Sequence, residues 1–212
     1  MSSIFKINTR SNWSSSNPVL TAGEAAIEET TNNVKIGDGI SPWSKLPYFS
    51  NPGYWGSFYD STSQTATANT PTSILLRSSD TAGRGVSIVS NSRMTFQHAG
   101  VYSLTYSIQF SNTDNSIHDI NVWLRKNNAG SAGNVPASDS RFSIIASHGG
   151  VAGNVIGCVN YVLPVVANDY LELIWATSNV QAYIHAEPAE SSPFAHPSIP
   201  GIICTVAQVA SA

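Results

Sequence analysis

The clearest signal in the chain is the segment GVYSLTYSIQF, residues 100–110. Tyr102, Leu104, Tyr106, Ile108 and Phe110 fall on one side of it, and Ser103, Thr105, Ser107 and Gln109 on the other. Period-two alternation sustained over that length predicts a long β-strand with one apolar face. Similar runs predict strands at 119–126, 140–147, 154–165, 170–177, 180–187 and 201–209, with shorter ones at 54–60, 73–77, 86–90 and 93–96. Turn-forming clusters separate them: Asn127-Asn128-Ala129-Gly130, His148-Gly149-Gly150 and Asn168-Asp169. About ten short strands at this spacing predict an all-β sandwich or jelly roll. Helical periodicity is nearly absent. Its best window is 21–29, around Ala22, Ala25, Ala26 and Ile27.

The last strand has a different pattern. Both of its alternating sets, Ile202/Cys204/Val206 and Ile203/Thr205/Ala207/Val209, lack charge, and the same holds for 155–166. A strand apolar on both faces is covered on both. With no helices to supply the second cover, another copy of the chain is expected there. Ile203, Thr205, Ala207 and Cys158 are the candidates for that interface. Cys158 and Cys204 each lie in an apolar run and read as buried free thiols, since two cysteines make no disulfide framework.

Residues 1–50 form a separate segment. Lys35-Ile36-Gly37-Asp38-Gly39 reads as a turn in which the glycines supply positive φ. Trp13, Trp43 and Tyr48 are candidates for a small core, Asp38 closes the turn, and Glu24 and Glu28 read as solvated. Asn51-Pro52-Gly53 is the expected boundary, so the division is 1–50 and 53–212. No repeat of 20–50 residues and no coiled-coil heptads are present.

Composition narrows the function. Of the 212 residues only 11% are charged, and ten Lys plus Arg against thirteen Asp plus Glu give a net charge of −3. That leaves no basic patch for nucleic acid. No apolar stretch reaches the roughly 20 residues of a membrane span, and the N-terminus lacks a secretion-signal core. Neither a nucleic-acid partner nor membrane insertion is expected.

Trp13, Asn17-Pro18-Val19-Leu20, Gly23-Glu24, Glu28, the 35–39 turn, Trp43 and Leu46-Pro47-Tyr48 follow one another in an order that resembles the small N-terminal repeat of phage tail-fibre and tropism-determinant proteins. From about residue 54 to 209 the chain resembles the tumour-necrosis-factor and complement globular-head superfamily in the version carried by phages. The carrying residues are Phe96, Gly100-Val101-Tyr102, Val122-Trp123-Leu124-Arg125-Lys126-Asn127, Asn168-Asp169-Tyr170-Leu171-Glu172-Leu173 and Pro197-Ser198-Ile199-Pro200 running into 203–209. The resemblance implies a ten-stranded jelly-roll β-sandwich that assembles as a homotrimer, with a small N-terminal β module. It departs from the family at Asn168, where Gly is usual, and Asn also adopts left-handed φ.

Chemistry is sparse. Glycoside hydrolysis needs two neighbouring carboxylates, and the sandwich acids Glu172 and Glu187 have no evident partner. No GxSxG elbow occurs, and Cys158 has no adjacent His. His185, Glu187 and His196 are the nearest approach to a metal set, but zinc needs three or four converging ligands, and Asp60, Asp80 and Asp114 read as isolated. No catalytic residue, cofactor or metal is expected. Surface recognition remains, with candidate loops at 111–119, 127–139 and 187–196. The expectation is a virion protein made in the bacterial cytoplasm, a short trimeric appendage for host-surface attachment. It would dock on other virion proteins through residues 1–50 and contact a host glycan or protein. The absence of a stalk-like region suggests direct seating on the particle. Capsid decoration is the main alternative. A secreted signalling or immune ligand and a polysaccharide-degrading enzyme are weaker ones.

Overall fold

A computed structural model of the chain describes residues 5–49, 53–79 and 83–211. Asp80 and the Asn51-Pro52 part of the expected boundary lie outside the described residues. The chain divides into two compact units, Met1–Pro52 and Gly53–Ala212.

In the first unit, strand β1 (Lys6–Asn8) runs parallel to β2 (Ala25–Glu28), which pairs antiparallel with β3 (Val34–Ile36). Between β1 and β2 lies α1 (Arg10–Ser16), capped by the Thr9 side chain, which accepts from Asn12 N at 3.2 Å. Asn17, at φ 39°, ends it in the left-handed conformation. No helix forms at 21–29, the best helical window of the sequence. Most of that window is turn and β2, whose residues alternate between half-buried and buried, with Ala26 and Glu28 inward. Ladders on both sides of β2 outweigh the helix propensity of its alanines.

The second unit is a jelly roll of two sheets. In one, β11 (Ser140–Ile144), β10 (His118–Lys126), β13 (Tyr170–Thr177), β8 (Arg93–Phe96) and β7 (Val86–Val89) lie in that order, with β5 (Thr72–Ser73) also on β13. We call it sheet I. In sheet II the order is β12 (Gly153–Val165), β9 (Gly100–Asn112), β15 (Ile202–Ser211), β4 (Trp55–Asp60) and β6 (Ser78–Ser79), with β14 (Ala182–Ile184) also on β9. Of the strand expected at 73–77 only Ser73 lies in a strand, β5, and the two-residue β6 was not expected.

The core lies between the sheets. Tyr102, Leu104, Tyr106, Ile108 and Phe110 of β9 are all buried, and they share one cluster with Ile120, Val122 and Leu124 of β10 and Leu171, Leu173 and Trp175 of β13. Contacts across the gap include Phe96 edge-on to Tyr102, with ring centroids 4.8 Å apart, and Cys204 Sγ 3.6 Å from Met94 Sδ. Leu104→Ala should destabilise the chain by about 2–5 kcal/mol, because a packed core collapses only partly around a deleted side chain; denaturant titration measures it.

The few acids of this unit have partners inside it, contrary to the reading of Glu172 and Asp60 as unpaired. Glu172 accepts from Ser92 Oγ at 2.7 Å and lies 3.8 Å from Arg93. Asp60 accepts from Arg77 at 2.9 Å and from Thr62 N at 2.8 Å. Asn168 takes φ 70° at the turn before β13. Beside it, Asp169 accepts from Val166 N at 2.7 Å and from Asn127, and pairs with Lys126 at 2.7 Å.

Burial alone raises the Asp169 carboxyl, but the bonds from Lys126, Asn127 and Val166 and the Lys126 charge outweigh it. They hold the carboxyl below its ordinary 3.8. A depressed acid contributes stability above its unfolded pKa and loses it as pH falls through the folded one. The melting difference between the native chain and Asp169→Asn should therefore be constant above about pH 5 and shrink once the pH drops below 3.8. A pH series of thermal melts tests this.

Candidate interaction surfaces

Alternation along β9 places its second set of side chains on the outer face of sheet II, and cross-strand register extends that set into rows. Cys158 of β12 lies opposite Ser107, Ser107 opposite Ile203 of β15, and Ile203 opposite Tyr59 of β4. The next row is Asn160, Thr105, Thr205 and Ser57, and the next Val162, Ser103, Ala207 and Trp55. No residue in these rows carries a charge. Asn160 Nδ2 donates to Ser103 Oγ at 2.8 Å and Thr105 Oγ1 at 2.7 Å, so part of the polarity is satisfied within the face. Ile203 is 41% exposed and Ile156 and Val162 are each 63% exposed.

All four sequence candidates, Ile203, Thr205, Ala207 and Cys158, lie on this face. The reading of Cys158 as a buried thiol is corrected, because it is exposed in the single chain. Its neighbour Gly157 points inward instead, where a Cβ would sit 2.7 Å from the Phe110 ring and 2.9 Å from that of Phe142. Cys204 is buried, and burial pushes its thiol up to about 12, which leaves it unreactive at neutral pH.

In the first unit, Trp13 and Trp43 stack with centroids 6.2 Å apart and pack with Leu20, Ala26 and Leu46. Trp13 Nε1 donates to Ile27 O at 3.0 Å. Tyr48 sits at the rim, 38% exposed. Its hydroxyl donates to Glu28 Oε1 at 2.6 Å, and Thr31 Oγ1 donates to the other oxygen at 2.7 Å. Glu28 is buried rather than solvated, and these two bonds hold its carboxyl below the usual range. Lys35 lies over the Trp43 and Tyr48 rings at 4.0 and 4.6 Å and donates to Trp43 O at 3.0 Å; burial lowers its pKa.

Asp38 closes its turn by accepting from Ile40 N and Ser41 N at 2.9 and 2.7 Å. Hydrogen bonds from Ser41, then Ile40, lower it to about 2. Of the two glycines beside it only Gly39 has positive φ, 80°. Gly37 is needed for closeness, since a Cβ there would lie 2.3 Å from Thr21 O. Phe5, Ile7, Ile40 and Phe49 leave large apolar side chains exposed on this small unit.

The remaining polar candidates separate into pairs. His185 Nε2 lies 3.1 Å from Glu187 Oε1, whereas His196 lies 3.8 Å from Glu190. Among the described residues no three His, Cys, Asp or Glu side chains are grouped to hold a metal ion. Asp114 is not isolated, as it lies 2.6 Å from His118 Nε2, and that bond lowers its pKa. No helix among the described residues is long and apolar enough to cross a membrane.

Comparison with known proteins divides along the same line as the fold. Residues 4–41 match the family described as the major tropism determinant N-terminal domain. No curated protein matches the chain. Among solved structures, Eiger TNF from S. frugiperda superposes with a TM-score of 0.53 at 13% identity, covering 76% of this chain and 96% of that one. The globular domain of zebrafish complement 1qA protein gives 0.43 at 11%, covering 74% and 97%. Residues 4–41 thus carry the tropism-determinant type of N-terminal domain, followed by a jelly roll with the tumour-necrosis-factor fold.

Proposed function

We propose that the chain is a non-enzymatic bacteriophage virion protein, a short trimeric appendage that contacts the host surface. The observation that carries this reading is the match of residues 4–41 to a tropism-determinant domain, joined to a jelly roll whose sheet II presents an uncharged outer face. Three copies meet through that face, around Ile203, Thr205, Ala207 and Cys158. The acids of the sandwich support a structural role, because Asp60, Asp169 and Glu172 each hold partners that fix the fold. Residues 1–50 seat the protein on other virion proteins, and the exposed Phe5, Ile7, Ile40 and Phe49 suit such a contact.

Two experiments test the parts separately. The full chain should sediment as a trimer at micromolar concentration, and Ile203→Asp should give monomers, because an interface cannot bury an unpaired charge. A native chain that sediments as a monomer refutes the assembly. A chain starting at Gly53 keeps the jelly-roll core intact, so it should fold and trimerise yet fail to join particles. Incorporation equal to that of the full chain would place the docking contact in the sandwich. Density mapping of intact particles distinguishes a tail position from decoration of the head.

A further inference from the structure

The outer face of sheet I differs from that of sheet II. On β10, Trp123 and Asn121 point outward, half-buried. Opposite Asn121 on β13 is Ala176, a side chain too small to fill the space beside it. The loop after β10 folds back along the strand's edge beyond the end of β11. Val135 N donates to Leu124 O at 2.9 Å, and Leu124 N donates to Ser138 Oγ at 3.0 Å. Tyr161 Oη, from the other sheet, donates to Ser138 O at 2.6 Å and anchors the loop from below. The result is an open groove of about 440 Å³ between strand and loop, lined by Trp123, Asn121, Asn134, Asp139, Asn69 and Ala176 among others.

The groove's polar groups are fixed in place, and part of their bonding capacity is unused. Trp123 Nε1 donates to Asn134 Oδ1 at 2.9 Å, which sets the plane of the indole. Arg125 Nε donates to the same oxygen at 3.3 Å, and the guanidinium also binds Ala129 O, so this buried cation is engaged from within. Asn121 Nδ2 donates to Asp139 Oδ2 at 2.9 Å. Asn134 Nδ2, Asn121 Oδ1, Asp139 Oδ1 and the Asn69 side-chain amide have no partner among the described residues. Ala137, in the groove wall, holds φ 58°, a left-handed conformation that costs a non-glycine residue on the order of 1–2 kcal/mol.

We propose that this groove binds a neutral glycan, one pyranose ring lying on Trp123 with its hydroxyls held by Asn121, Asn134, Asp139 and Asn69. The proposal rests on the host-attachment reading and names its ligand class. A pyranose has an apolar C–H face that fits an indole, and hydroxyls that both donate and accept, matching amides with one free donor or acceptor each. The volume falls within the usual range for small-molecule sites, roughly 300–1,000 Å³.

Other ligand classes fit less well. An extended peptide would need a free strand edge, and the loop occupies this one. A phosphate or carboxylate would meet Asp139 in the lining, while Arg125 is engaged from within and Arg141, opposite Asn121 on β11, lies outside it. Acidic sugars should accordingly bind more weakly than neutral ones. Because the groove and the proposed interface lie on opposite faces of the sandwich, assembly through sheet II leaves every groove open. Three sites of modest strength then act together on one glycan-covered surface.

The test titrates the full chain with neutral disaccharides of glucose, galactose, mannose, rhamnose and N-acetylglucosamine, and with an N-acetylneuraminic acid disaccharide. Tryptophan fluorescence and saturation-transfer NMR follow binding. At least one neutral sugar should bind at millimolar concentration or below, in preference to the acidic one. Trp123→Ala should weaken it roughly tenfold, about the effect of losing one good ring contact. Asn121→Ala should weaken it as well, with melting curves unchanged, and Trp123→Phe should restore part of the loss.

Binding by none of the sugars, or binding indifferent to Trp123→Ala, overturns the proposal. Adsorption of the protein to host cells separates it from the attachment reading. If no sugar binds while adsorption survives both Trp123→Ala and periodate oxidation of the cell surface, attachment stands, the groove proposal fails and the receptor is a protein. If sugars bind but the protein adsorbs to no cells, the groove stands and the attachment reading fails.

Discussion

The inward row of β9 is the constraint on which the jelly roll depends. Five large side chains, from Tyr102 to Phe110, must be kept from water along a single strand. A lone strand cannot do this, so β12 and β15 flank it and sheet I closes over the row with Leu171, Leu173 and Trp175. Period two then leaves no freedom for the other set. With the even-numbered positions inward, Val101, Ser103, Thr105, Ser107 and Gln109 face outward, and register carries the division into β12, β15 and β4. The core thus fixes which residues form the outer face, and their lack of charge is a feature of that face's own sequence.

Charge is scarce in this chain, and several of its acids sit where the ladders end. Asp60 fastens the end of β4 to Arg77, just before β6. Glu172 ties β13 to Ser92 in the turn between β7 and β8. Asp169 joins the turn before β13 to Lys126 and Asn127 at the end of β10. A buried carboxylate is costly unless its oxygens are satisfied, and once they are, removing a partner costs more than the pair contributed. Connections without regular hydrogen bonding are fixed in this way. The outer face of sheet II is left without ionic groups that would resist burial against another copy.

How much of this was legible in the sequence depended on the range of the interaction. Period two is local, so β9, β10, β12, β13 and β15 could be read from their own residues. The two-sided apolar character of 201–209 likewise placed Ile203, Thr205 and Ala207 on a face that the structure leaves exposed. Readings failed where a distant partner decided the matter. Glu28 appeared solvated because Tyr48, twenty residues on, supplies its hydrogen bond, and Glu172 appeared unpaired because Ser92 is eighty residues away. Helix formation also turned on partners outside the segment. Alanines at 22, 25 and 26 favour it locally, but β1 and β3 claim that segment, whereas the polar run at Arg10–Ser16 becomes helical through its Thr9 cap and the burial of Trp13. Trp123 was visible only as part of a resemblance, since its groove requires a loop to fold back and Ala176 to arrive from another strand.

The two outer faces follow from one alternation but suit opposite partners, and the difference lies in side-chain length and bonding. Sheet II presents short hydroxyls and aliphatic groups in flat rows, with Asn160 turned sideways onto Ser103 and Thr105. Such a face can approach a copy of itself without stranding donors. Sheet I presents an indole, amides and a carboxylate around a hollow, with donors and acceptors held at fixed positions by their own hydrogen bonds. A flat protein partner would leave those groups unsatisfied, at a cost of about 1–3 kcal/mol for each one buried. A small hydroxylated ring can enter the hollow and meet them. Assembly through sheet II, as proposed, would do more than hold copies together, since it would direct sheet I outward on every copy and let weak single contacts add within one rigid body.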